Sequence, residues 1–161
     1  MTSVVPEREQ QIYGGPSYSN PEEWIPLDFP HERGTTSAGR QVAGEMAFFR
    51  TKGSGTHTLL VGMWRTSPLS PGCDPKTGEC DFPWEALWGD EQVYVIEGTV
   101  TVTDRATGEV YKYKPGDIFS ISKGNDTDWH VDGPYFKKYF CIAHNEPVDL
   151  DTASIPLQSF G

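Results

Sequence analysis

From residue 45 onward the chain reads as a succession of short apolar or alternating runs broken by turn residues. Thr99-Val100-Thr101-Val102-Thr103 alternates with a period of two, the pattern of a strand with one face buried. Gln92-Val93-Tyr94-Val95-Ile96 and Thr56 to Trp64 are rich in β-branched and aromatic residues, and Met46 to Phe49 is a short apolar block. Glu109 to Lys114 reads as the return strand of a hairpin whose turn is Asp104-Arg105-Ala106-Thr107-Gly108. Pro115-Gly116-Asp117 is a further turn, and Ile118 to Ile121, Trp129 to Val131 and Tyr135 to Ala143 complete the set. Residues 67 to 83 read as a long loop. Some eight short strands with no long helical period predict an all-β sandwich or barrel.

Residues 1–44 have no sustained period and are polar, with scattered Pro and Gly. They are expected to form an N-terminal arm packed on the domain or on a second subunit, because Tyr13, Tyr18, Trp24, Ile25, Leu27 and Phe29 need cover. Ser19-Asn20-Pro21-Glu22-Glu23-Trp24 suits a short helical turn. The expected division is an arm over 1–44, a barrel over 45–146 and a tail over 147–161.

Composition narrows the function. Gly (17) and Pro (13) are abundant enough among 161 residues for a turn-rich β domain. The formal charge of −10 argues against nucleic acid and against an anionic membrane surface, since both need a basic face. No apolar run approaches the roughly 20 residues of a spanning helix. The first residues, MTSVVPEREQ, lack a basic region followed by an apolar one, so a cytoplasmic protein is expected. Cys73 and Cys80 bracket a turn-like stretch and are read as reduced surface thiols, and Cys141 as a small core residue. His31 and His144 are read as surface residues, and His57 as structural. Glu79, Asp81, Asp90, Asp126, Asp128 and Asp132 match no known calcium loop and are read as solvated charges.

Glu91 followed by six residues and Gly98, then Gly108, Pro115-Gly116-Asp117 and Lys123-Gly124, resembles the two motifs of the cupin superfamily. Gly62-Met63-Trp64-Arg65, Trp129 and Phe136-Lys137-Lys138-Tyr139 are similar to the small single-domain branch near the ethanolamine-utilisation and ureidoglycine-aminohydrolase-like cupins. The likeness covers about residues 57 to 143. It implies a cupin-like β-barrel (a double-stranded β-helix, or jelly roll) and a homodimer. The metal ligands of the family are largely missing. Where a His-x-His pair would precede the motif Glu stands Trp84-Glu85-Ala86-Leu87-Trp88, and where the second motif carries a His stands Thr127. One carboxylate does not hold a transition metal tightly. No metal and no other cofactor is therefore expected.

Strand parity then describes the pocket. With Glu91 inward, Val93 and Val95 are inward too. With Thr127 inward, Trp129 shares its direction and His130 does not. Trp64, Trp84 and Trp88 are candidates for the mouth. Glu91 needs a cationic partner in such surroundings. Lys137 is the candidate by resemblance and shares a face with Tyr139, whereas Lys138 is the candidate by apolar phase with Phe136, Phe140 and Ile142; Lys137 is preferred. The expected function is acid–base chemistry by Glu91 and Lys137 on a small organic molecule, of lyase, isomerase or hydrolase type. Trp129, Trp64, Val93, Val95, Thr127, Trp84, Tyr139 and His130 are the candidate substrate contacts. The alternatives are a non-catalytic small-molecule-binding cupin, and a metal-dependent cupin with an irregular ligand set such as Glu91 with His57, His130 or loop carboxylates.

Overall fold

The computed structural model describes residues 12–34, 39–51 and 53–147. Among the described residues, ten strands follow one four-residue helix, α1 (Pro16–Ser19): β1 (Ile25–Pro30), β2 (Arg40–Arg50), β3 (Thr58–Thr66), β4 (Cys80–Glu85), β5 (Asp90–Glu97), β6 (Val100–Asp104), β7 (Val110–Tyr113), β8 (Ile118–Ile121), β9 (Asp126–Val131) and β10 (Phe136–His144). They form a six-stranded sheet in the order β1-β2-β3-β10-β5-β8 and a four-stranded sheet in the order β4-β9-β6-β7. Every paired neighbour is antiparallel. The core lies between the inner faces of the two sheets, as in a jelly roll.

Alternation sets which side chains enter that core. Along β9, Thr127, Trp129 and Val131 are buried while their neighbours are half-exposed. Along β10, Phe136, Lys138, Phe140 and Ile142 are buried. Along β5 the inward residues are Glu91, Val93 and Val95. The alternation breaks at Ile96 and Glu97, both exposed, where the β5–β10 pairing slips so that Lys137 faces Glu97 while Lys138 faces Val95. This is a bulge, which redirects a strand locally. Gly62 sits against the carbonyl of Ala47 across β2–β3, where a Cβ would collide with backbone.

Three features depart from the sequence expectation. Within the segment expected to be an arm, β1 and the first part of β2 extend the large sheet, with Leu27, Phe29 and Ala43 in its core. The helical turn falls at Pro16–Ser19, ahead of the stretch expected to hold it. Cys80–Glu85, the end of the expected loop, is strand β4 at the edge of the small sheet. An edge strand tolerates Pro83, which has no N–H to give to a ladder. The expected tail lies outside the described residues except for its first position, 147.

Candidate functional site

The inward residues of β5 and β10 meet at one polar pair. Lys138 Nζ donates to Glu91 Oε2 at 2.7 Å. Glu91 is 2 % exposed and Lys138 7 %, so the pair is dry. Across the ladder Glu91 faces Ile142 and Lys138 faces Val95, so the two backbone positions stand four residues apart along β10. The extended lysine stem spans that separation inside the barrel. The other carboxylate oxygen, Oε1, accepts from Trp84 Nε1 at 2.9 Å. Both oxygens of a buried carboxylate are thus engaged, which such a group requires.

The ammonium is enclosed by aromatic faces. Lys138 Nζ lies 4.5 Å from the centre of the Trp129 ring, 5.5 Å from that of Trp64 and 5.8 Å from that of Phe140. A desolvated cation over indole is attracted by about 2 kcal/mol or more. The tryptophans are themselves fixed. Trp64 Nε1 donates to the Ala43 carbonyl at 2.9 Å, and Trp129 Nε1 to Thr127 Oγ1 at 3.0 Å. Thr127 Oγ1 in turn donates to the Trp84 carbonyl at 2.7 Å, tying β9 to β4. Phe82 and Trp129 stack with ring centres 5.7 Å apart.

Beside the pair is a cavity with about 20 Å³ of free volume, lined by Trp64, Phe82, Trp84, Trp88, Trp129 and Phe140 with Glu91 and Lys138, and closed by Leu27, Met46 and Ile142. This is room for about one water molecule.

Residues 76–140, from the turn before β4 through the inward Phe140, match the family model described as the EutQ-like cupin domain. This stretch is similar to a cupin domain. Among solved structures, the chain is similar to a DUF861 family protein from Thermotoga maritima at 24% identity, covering 50% of this chain and 75% of that one, with a TM-score of 0.39. It is similar to the EutQ protein of Clostridium difficile at 21% identity, covering 67% and 70%, with a TM-score of 0.45. The cupin domain of Schizosaccharomyces pombe Cnp3 aligns at 12% identity over 78% and 86%, with a TM-score of 0.47. No curated protein matches the chain in sequence.

The donor set does not suit the metal that many cupins carry. Among the described residues, Glu91 is the single His, Cys, Asp or Glu lining the cavity, and one of its oxygens already holds the Lys138 ammonium. One carboxylate beside a fixed cation offers too few ligands. The irregular ligand set does not assemble either. His57 is exposed in the turn before β3, and His130 points to the outer face of β9.

The preferred partner of Glu91, Lys137, is corrected. Lys137 is half-buried on the opposite face of β10, facing Arg65 and Glu97 in the ladders, while Lys138 follows the apolar phase inward. Tyr139 shares the outer face with Lys137; it borders a separate cleft with Tyr13, Tyr18 and Phe49. His130 also faces outward, where Nδ1 lies 2.6 Å from Asp81 and Nε2 lies 3.3 Å from Asp132 and 3.8 Å from Glu79. Val93 and Val95 are inward, as parity requires, but belong to the packed core rather than the cavity wall. Trp64, Trp84 and Trp129 line the cavity, and Thr127 accepts from the Trp129 ring and donates to the Trp84 backbone carbonyl. His31, read as a surface residue, is buried; its Nε2 meets Asp126 at 3.0 Å and its Nδ1 accepts from the Arg33 backbone at 2.9 Å. Trp88, expected at the mouth, is buried in the core. It lies in the loop after β4, where no strand alternation signals its burial, and its ring meets that of Trp84 edge-on at 5.4 Å.

Proposed function

We propose that this cupin-like protein binds a small organic molecule at the barrel centre, with Glu91 and Lys138 as its polar anchor and as the couple that accepts and donates a proton. One observation carries the reading: a 2.7 Å ammonium–carboxylate contact stands against the cavity inside a wall of indoles. Two of the three ammonium protons of Lys138 are not directed to Glu91, so they are available to polarise or protonate a bound acceptor. Glu91 Oε2 can take a proton back through the same contact. Lyase, isomerase or hydrolase chemistry fits this couple, and no step needs a histidine-held metal.

A screen of small organic molecules by thermal shift tests the reading. A ligand that binds the native state raises the melting temperature by mass action. Such a shift is expected in wild type and in Lys137→Met, and is expected to be lost in Glu91→Gln and Lys138→Met. A ligand that binds all four proteins equally would remove the pair from the site. A non-catalytic binder is the second reading, favoured by the small free volume, which leaves little space for a reacting group. Binding that depends on the pair, with no turnover of any bound ligand, would select it.

A further inference from the structure

Four indoles line the cavity, and three of their N–H groups have acceptors: Trp84 on Glu91, Trp64 on the Ala43 carbonyl and Trp129 on Thr127. The fourth does not. Trp88 is 2 % exposed, and its Nε1 is buried without a hydrogen-bond partner. A buried donor left unpaired is destabilising, and native proteins rarely keep one. Lys138 adds further unspent N–H groups at the same cavity, whereas both oxygens of Glu91 are already engaged. The one cavity group with no partner at all among the described residues is therefore a donor.

Charge narrows the class further. Glu91 and Lys138 sum to zero, so an anion would add an uncompensated buried charge next to a carboxylate. A cation would have to share the ring faces that Lys138 already occupies. Resting on the reading above, we infer that the cavity selects an uncharged hydrogen-bond acceptor, the carbonyl or hydroxyl oxygen of a small organic molecule, held by Trp88 Nε1–H together with the Lys138 ammonium. The free volume of about 20 Å³ admits one oxygen-sized group, so the acceptor oxygen is the part of the ligand that the cavity holds.

Indole ¹H–¹⁵N spectra of the full chain labelled at tryptophan test this, with acetamide, acetate and ethylammonium as matched probes. The Trp88 resonance is assigned by its loss in Trp88→Phe. Acetamide is expected to move the wild-type Trp88 indole proton downfield in a saturable way, and acetate and ethylammonium to bind at least about tenfold more weakly. In Trp88→Phe the acetamide affinity, read from the Trp129 indole, is expected to fall. If that variant does not fold, the wild-type titrations decide alone. Acetate matching or exceeding acetamide would overturn the inference and leave the barrel-binding reading intact. So would acetamide moving Trp129 or Trp84 while Trp88 stays still. If no probe moves any of the four cavity indoles, the inference and the wider reading both fail.

Discussion

The chemistry of this barrel turns on one lysine of two adjacent ones. Lys138 is buried against Glu91, and Lys137 is on the other face of β10. Removing one partner of a buried pair strands the other charge, so Lys138→Met is expected to lower unfolding stability by about 3–5 kcal/mol, whereas Lys137→Met is expected to stay within about 0.5 kcal/mol. Urea unfolding of the two variants checks the contrast. Thr127→Val leaves the Trp84 carbonyl and the Trp129 N–H without their shared hydroxyl and is expected to cost about 1–3 kcal/mol in the same experiment. The inward set of β10 was readable from its apolar phase, because a lysine stem packs like a hydrocarbon and only its tip needs a partner. The resemblance pointed one residue away, and a one-residue slip exchanges the faces of a strand. His31 was unreadable for a different reason: its burial depends on Asp126, 95 positions away.

At the scale of elements, β-prone composition made β5 plain, alternation made β6 plain and the second half of β9 was legible, while β1 and β4 were hidden by their prolines. Pro26, Pro30 and Pro83 weaken a strand signal, yet both strands lie at sheet edges, where a missing N–H is tolerated. The β4–β9 pairing also builds the outer cluster that opposes His130 to Asp81. The hydrogen bond to Asp81 is the main reason the His130 pKa is raised above its ordinary value, with the charges of Asp132 and Glu79 adding to it against a desolvation penalty. A raised folded-state pKa contributes stability that is fully present below the unfolded value of about 6.5 and fades as pH rises through the folded one. The stability gap between wild type and His130→Gln should therefore be larger at pH about 6 than at pH about 9. A gap that widens with rising pH would contradict the pairing. In the turn leading into β4, the hydrogen bond from the neighbouring Cys80 holds the Cys73 thiol below its usual pKa, while that contact and burial push Cys80 well up. Thiol-reactive dye should label Cys73 before Cys80, with the order read by peptide mass.

For the molecule as a whole, the two sheets enclose a core whose centre is ionic rather than purely apolar, and the ammonium of Lys138 stands at the carboxylate that the cupin resemblance assigns to a metal. Among the described residues, no helix is long and apolar enough to cross a membrane. The cupin architecture was legible from turn spacing and from the motif residues Glu91, Gly98 and Pro115-Gly116-Asp117. The closeness of the interior packing was not, because a volume of about 20 Å³ is set by how ten strands curve together rather than by any local pattern. The most direct test is a double-mutant cycle on global unfolding with Glu91→Gln, Lys138→Met and the two combined. If the ammonium and carboxylate are partners in the dry centre, the double variant loses less stability than the sum of the single ones, by at least about 1 kcal/mol. Losses that add to within about 0.5 kcal/mol would mean that the two groups do not meet.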